Sequence, residues 1–319
     1  MEFQFEPMDR TQSKLSVAVY GPSGAGKTVA LLKLAKGIQM QLYPDESLKD
    51  IGLYIDTERR SSTKVVGRSV GGEALEPLEL YAFEPPFDVF KLAELIEYAV
   101  TQKGKKIIVI DSYTAFWSGM DGILDRAAEI EVSLGAQKKA YGAWSEKEII
   151  KKKNVLKNIM TNANAHILVG FRAKTEYVLE PNARGRMTPR AVGLKEDMQA
   201  DVRYEFDAVI SIDKETHGAE VVKDRIGFME IRNTSDDPEG PITIKDGMIL
   251  SGIAAKGLSL TDAIAEKRKT LISFLSDAKA KGDPKLGLFE KKRGVAIDTA
   301  YLEGLSYEQL TLLVKFLKN

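Results

Sequence analysis

The sequence predicts an α/β fold with a mainly parallel sheet, on three observations. Apolar runs of strand length at 15–20, 51–55, 78–83, 107–110 and 166–171 alternate with segments of helical spacing. The first run passes without a gap into Gly21-Pro22-Ser23-Gly24-Ala25-Gly26-Lys27-Thr28, which fits G-x-x-x-x-G-K-[ST] at every required position. The run at 107–110 ends in Asp111, at the strand end that faces the ligand crevice in open α/β sheets.

In chain order, Val29 to about Met40 reads as an amphipathic helix that Tyr43-Pro-Asp-Glu breaks. Strand, glycine loop and helix together make the phosphate-binding arrangement. The glycines let backbone N–H groups converge on phosphate, and the helix start adds its positive dipole end. Lys27 is expected on the β- and γ-phosphates and the Thr28 hydroxyl on magnesium. The ligand is therefore a nucleoside triphosphate, with ATP and Mg2+ as the expected pair.

Ile51-Gly-Leu-Tyr-Ile-Asp-Thr-Glu reads as the second strand. Its period puts Asp56 and Glu58 on one side at the carboxyl end. Two readings stand there: a polar turn after a strand, or a carboxylate that orients the water attacking the γ-phosphate. Arg59 and Arg60 read as a solvated face. Leu78–Phe83 is a short strand, Phe87–Gln102 a helix, and Ile107–Ile110 a strand buried on both faces. Asp111, four apolar residues behind, is the expected magnesium-side carboxylate.

Residues 113–163 are helical in composition, and His166–Phe171 is another buried strand, ended by Arg172. From Ala173 to about Asp201 no periodicity survives, and Pro181, Gly185, Pro189 and Gly193 punctuate a long loop of functional character. Between 172 and 195 it carries Arg172, Lys174, Arg184, Arg186, Arg190 and Lys195 against only Glu176 and Glu180. That local basic patch is expected to touch single-stranded DNA, with arginines on phosphates and Tyr177 stacked on a base. Phe206–Asp213, Ala219–Lys223 and Gly227–Arg232 alternate like antiparallel strands. From Ser259 the chain turns helical, with a helix to about Lys281, a turn at Gly282-Asp-Pro, and a last helix opened by a Ser306–Gln309 capping box. The domains so read are an ATPase core over 1–255 and a small helical region over 256–319.

Composition excludes several classes. Cysteine is absent, which removes disulfides and thiolate metal sites and points to a reducing compartment. His166 and His217 stand far apart without a zinc-ligand motif. No segment has the length of a membrane span, and the first residues lack the form of a signal peptide. Lys plus Arg equals Asp plus Glu at 46 each, so affinity for nucleic acid has to be local.

The order of strand, P-loop, strand ending in Asp56-Thr-Glu58 and strand ending in Asp111-Ser112 resembles the RecA-type P-loop NTPase core. The resemblance implies that Glu58 is the catalytic glutamate. Val221-Val-Lys-Asp-Arg-Ile226 resembles the stretch whose two basic residues, here Lys223 and Arg225, reach a neighbouring subunit's γ-phosphate. It thus implies a homo-oligomer with ATP sites at subunit interfaces. Phe171-Arg-Ala-Lys-Thr-Glu-Tyr177, Pro189–Lys195 and Arg203-Tyr-Glu-Phe-Asp207 are similar to phage nucleotide-binding P-loop proteins, among them RecA-core single-strand annealing recombinases. Where RecA carries a sensor glutamine this chain carries Arg172, which takes the expected sensor role. The 172–195 segment matches the loop that lines the DNA channel of RecA-type filaments. The expectation is a RecA-like ATPase acting on single-stranded DNA in phage-type recombination or replication, in the cytoplasm of a bacterial host. A nucleotide-gated loader and a P-loop small-molecule kinase are the competing readings.

Overall fold

The computed structural model describes residues 14–134, 142–181, 187–235, 237–256 and 260–318. They fall into two compact units, one within 1–229 and 237–257, the other within 230–236 and 258–319. The segment 230–236, assigned from sequence to the core, thus belongs to the helical unit.

The first unit runs β1 (Ser16–Gly21), α1 (Lys27–Leu42), α2 (Leu48–Ile51), β2 (Gly52–Asp56), β3 (Ser69–Val70), β4 (Glu73–Ala74), β5 (Glu79–Ala82), α3 (Val89–Thr101), β6 (Ile107–Asp111), α4 (Ala115–Ser118), α5 (Ile123–Leu134), α6 (Lys147–Asn162), β7 (His166–Pro181), β8 (Met187–Glu196), β9 (Ala208–Ile212) and β10 (Ala219–Asp224). The sheet order is β10-β9-β1-β7-β6-β2-β5. Every pair from β9 to β5 is parallel, and β10 adds antiparallel to the edge. This is the α/β, mainly parallel sheet that the sequence predicts.

Helices cover both faces, which is why the strands read as unbroken apolar runs. On one face Ala18, Ile55, Ile108, Ile110, Val169 and Phe171 share a core with Leu92 and Ile96 of α3 and Ile149 and Leu156 of α6. α1 lies on the other, where Leu31 approaches Gly170 of β7. A further helix, α8 (Ile244–Lys256), follows α7 (Phe228–Arg232) and packs on α1. A Cβ on Gly37 would stand 2.7 Å from the Gly247 Cα, so the helices cross at a pair of glycines.

Two segments differ from the sequence reading. The long loop after Arg172 is a two-stranded ribbon: β7 continues past the sheet and pairs antiparallel with β8, from Ala173↔Glu196 to Pro181↔Met187. Its register shifts between Glu176 and Tyr177, where the partner residue moves from Gly193 to Ala191. That shift breaks the two-residue alternation inside the ribbon, so the strands leave no continuous periodic signature. The stretch 227–232, read as a strand, forms the helix α7 from Phe228. Asp224 accepts from the Ile226, Gly227 and Met229 N–H groups and turns the chain into the helix. Phe228 and Ile231, buried three residues apart, suit a helix as well as an irregular strand.

The second unit contains α9 (Leu260–Ala280), α10 (Pro284–Arg293), α11 (Thr299–Gly304) and α12 (Tyr307–Lys318). Leu271, Leu275, Leu286, Ile297, Leu302, Leu310 and Leu313 form its core. The capping box at α12 is present: Ser306 N–H donates to Gln309 Oε1 at 2.8 Å and Gln309 N–H to Ser306 Oγ at 3.2 Å. Among the described residues no helix is long and apolar enough to cross a membrane.

His166, at the start of β7, is 2% exposed. Its Nδ1 accepts from the Leu15 N–H at 3.1 Å, and Nε2 lies 3.2 Å from the Tyr43 hydroxyl. Burial, with Lys14 nearby, lowers its pKa from 6.5 to about 4. The folded state keeps this imidazole neutral while the unfolded chain protonates it near 6.5. The unfolded state therefore binds more protons in that window, and stability is lost as pH falls from 6.5 towards 4. The shift is worth about 3 kcal/mol. Denaturant unfolding at a series of pH values should show a His166→Leu variant losing less stability than the parent over this window. Equal losses in the two proteins would remove His166 from the acid response.

Candidate nucleotide-binding site

The P-loop joins β1 to α1 over Gly21–Thr28. Gly24 and Gly26 hold φ of 84° and 95°, backbone that a side chain disfavours. A Cβ on Gly21 would meet the Ile212 carbonyl oxygen of β9 at 2.7 Å, so here glycine answers a close approach. No side chain caps α1, which leaves its first N–H groups for an anion. Lys27 Nζ donates to the Gly21 and Pro22 carbonyl oxygens at 3.0 and 2.9 Å. Burial lowers its pKa, against the opposing charges of Asp111 and Glu58.

Asp111 ends β6 beside Asp56 of β2 and Gly170 of β7. Its Oδ2 accepts from Thr28 Oγ1 at 2.6 Å and from the Tyr54 hydroxyl at 2.7 Å. Its Oδ1 is buried and has no hydrogen-bond partner. A Cβ on Gly170 would come within 2.7 Å of that oxygen, so glycine makes the room it occupies. Burial raises the carboxyl's pKa even though Thr28 and Tyr54 donate to it. An orphaned carboxylate oxygen beside a threonine hydroxyl suits a hydrated divalent cation that takes its other ligands from phosphate and water. Among the described residues no group of three or more His, Asp or Glu can hold a metal ion.

Glu58 follows β2 on a turn that Asp56 builds. Asp56, 2% exposed, accepts from the N–H groups of Glu58, Arg60 and Ser62 and from Ser62 Oγ. Arg59 and Arg60 take left-handed φ of 54° and 59° within it. Thr57 fastens the turn to β6: its N–H donates to the Asp111 carbonyl and its hydroxyl to that of Ser112. Asp56 thus shapes the turn and Glu58 faces the cleft. Arg172 Nε and Nη2 each lie 3.1 Å from Glu58 Oε1. Ser23, Lys27, Thr28, Glu58, Asp111 and Arg172 line one cleft of about 580 Å3.

Other expected site residues lie elsewhere. Lys223 lies near the end of β10 that pairs with the start of β9 and Arg225 directly follows that end, whereas β10 begins beside Ile212 and the P-loop. Neither is in its own chain's cleft. Lys223 Nζ donates to the carbonyls of Arg203, Tyr204 and Phe206, which commits all three ammonium hydrogens within its own chain. To reach a neighbouring subunit's phosphate, as expected, Lys223 would have to exchange these carbonyls. Arg225 is exposed. On the ribbon, Lys174 Nζ pairs with Asp197 Oδ1 at 2.8 Å, and Lys195 belongs to β8. Arg184 and Arg186 lie outside the described residues, as do the side chains of Tyr177 and Arg190. Sequence reasoning missed Tyr54, Thr57 and Gly170. Only Tyr54, a hydroxyl inside an apolar strand, carries a signal that could have found it.

Removing the ammonium with Lys27→Ala should abolish nucleotide binding. Glu58→Gln should keep binding while turnover falls on the order of 10²-fold or more, the loss of a general base. Titration of a fluorescent ATP analogue alongside phosphate release checks both. Parent-level hydrolysis by Glu58→Gln would assign water orientation to another carboxylate.

A family profile described as AAA domain matches residues 13–236. No curated protein is significantly similar to the chain. Among solved structures, the crystal structure of a KaiC-like protein from the hyperthermophilic archaeon Pyrococcus horikoshii OT3 is similar over 66% of this chain and 79% of that one, at 14% identity and a TM-score of 0.34. The profile takes in the P-loop, Glu58, Asp111, Arg172 and the β9–β10 pair, well over half of the chain. The chain belongs to the AAA domain family and is a nucleotide-binding P-loop ATPase.

Proposed function

We propose that this ATPase couples ATP hydrolysis to single-stranded DNA, as a homo-oligomer acting in phage-type recombination or replication in the cytoplasm of a bacterial host. The observation that supports it most is continuity along β7. Arg172, in the cleft, pairs with Gly21 at the start of the P-loop, and the ribbon begins at the next residue, Ala173. A rearrangement at Arg172 is therefore made at the root of the ribbon that carries the basic patch.

In this reading Thr28 and Asp111 would hold a magnesium ion, which would supply neutralising charge to the nucleotide's phosphates. Lys27 exchanges two carbonyl oxygens for phosphate oxygens. Arg172 leaves Glu58 for the γ-phosphate, and the freed carboxylate orients water for in-line attack. The exposed Arg225 of a neighbouring copy completes the site. The ribbon's cations meet the DNA backbone without reading sequence, and Tyr177 stacks on a base.

Phosphate release measured with and without single-stranded DNA tests the coupling. Stimulation supports it. ADP release that depends on a small-molecule acceptor would make the protein a kinase, and nucleotide binding with neither response a loader or regulator. Replacing Arg184, Arg186 and Arg190 by Ala should weaken DNA binding and flatten its salt dependence. The log–log slope should fall by roughly 0.7 for every DNA phosphate that is no longer neutralised. An unchanged slope with weaker binding would move these arginines off the phosphates. Arg225→Ala should depress turnover, and mixing it with Glu58→Gln should restore part of it, because one mixed interface holds an intact site. No recovery at any mixing ratio would argue against a shared site.

A further inference from the structure

β9 and β10 are joined by the turn at 213–218, and this turn ends on the phosphate loop. Asp213 builds it: its Oδ1 accepts from the Glu215 and Thr216 N–H groups at 2.9 Å each and from Thr216 Oγ1 at 3.0 Å. The Gly218 carbonyl closes it by accepting from the Asp213 N–H. Neighbours fix both ends. Gly21 of the P-loop lies against the Ile212 carbonyl, and a Cβ on Gly218 would meet the Glu239 carbonyl oxygen at 2.5 Å. Within this frame His217 takes a φ of 57°, a left-handed conformation uncommon outside glycine.

The strained backbone aims the imidazole at the P-loop. His217 Nδ1 lies 3.0 Å from the Ala25 carbonyl oxygen, and a Cβ on Gly26 would be 3.7 Å from the same nitrogen. A carbonyl oxygen only accepts, so Nδ1 carries the hydrogen and donates it. The peptide between Ala25 and Gly26 is planar and trans, so its C=O and N–H point in opposite directions. Holding the carbonyl towards His217 turns the Gly26 N–H away from the histidine. Gly26 lines the cleft and, lacking a Cβ, has the least of its own to resist rotation of that peptide. The preceding peptide is held separately, its Ala25 N–H donating to the Pro22 carbonyl at 3.2 Å, so the loop is fixed on both sides of the Ala25 Cα.

We propose that His217 is a positioning residue for nucleotide binding: it pins the Ala25–Gly26 peptide from behind, so that the loop's N–H groups are set before phosphate arrives. The inference rests on the nucleotide-binding reading of the P-loop. It also ties the loop to β10, the edge strand whose far end leads to Arg225.

The test is titration of the full chain with a fluorescent non-hydrolysable ATP analogue, with thermal unfolding and steady-state kinetics alongside. His217→Ala should bind about five- to tenfold more weakly at an unchanged melting temperature, the loss of one part-buried hydrogen bond. The loss should appear in KM more than in kcat, because the loop is held alike in ground and transition states. His217→Asn keeps an N–H donor at the branch position of Nδ1 and tolerates left-handed backbone, so it should bind within about twofold of the parent. Should the Ala variant melt early, His217→Asp replaces it. That variant has the same shape as Asn with no donor, and in high salt, to screen its charge, it should bind about tenfold more weakly than Asn. Parent-like binding by His217→Ala overturns the inference, as does Asn binding no better than the donor-less variant. A parent chain that binds no nucleotide overturns the P-loop reading instead.

Discussion

The site depends on one buried carboxylate oxygen. Asp111 Oδ2 receives hydroxyls from Thr28 on α1 and Tyr54 on β2, and so ties the P-loop helix and two strands together at the crevice end of the sheet. Desolvating a carboxylate is costly, and two short donated hydrogen bonds offset part of the cost at one oxygen. The other oxygen is buried without a partner. Gly170, on the next strand, is the small residue that makes the arrangement possible. Thr57 links the same β6 end to the turn that carries Glu58. The ATP-directed groups are therefore aligned by strand register before any ligand binds.

Around this corner the chain supplies its own substitutes for phosphate oxygens. The Lys27 ammonium rests on two P-loop carbonyls, and the Arg172 guanidinium on the Glu58 carboxylate. Each is an exchangeable pairing: the cation is satisfied without ligand and can transfer to a stronger acceptor when one arrives. The two pairings differ in kind. Lys27 rests on neutral acceptors and Arg172 on a charged one, so the second pairing is the harder to exchange.

The P-loop is also held along the edge of the sheet. Ile212 packs its carbonyl against Gly21, and His217 reaches the Ala25 carbonyl from the β9–β10 turn. On the other side of β1, β7 brings Arg172 to the cleft and carries on into the ribbon. Cleft, edge and ribbon are joined by three adjacent strands rather than by separate loops. Strands held by ladder hydrogen bonds transmit small displacements better than flexible connectors do.

The sequence by itself determined the fold class, the P-loop and Asp111 at the end of its strand. It did so because each depends on local pattern: an apolar run, a glycine spacing, an acid at a strand end. The capping box of α12 was legible for the same reason. What only the tertiary structure decided are properties of the meeting between segments distant in the chain. The ribbon after Arg172 left no continuous periodic trace because a register shift interrupts its pairing. The helix at 228–232 arose from Asp224 accepting the backbone N–H groups ahead of it. Lys223 was matched by motif to a phosphate, yet its ammonium satisfies three carbonyls near the start of β9. Gly170 and His217 have no local signature, since the need for one is set by an aspartate 59 positions earlier in the chain and the place of the other by a carbonyl 192 positions away.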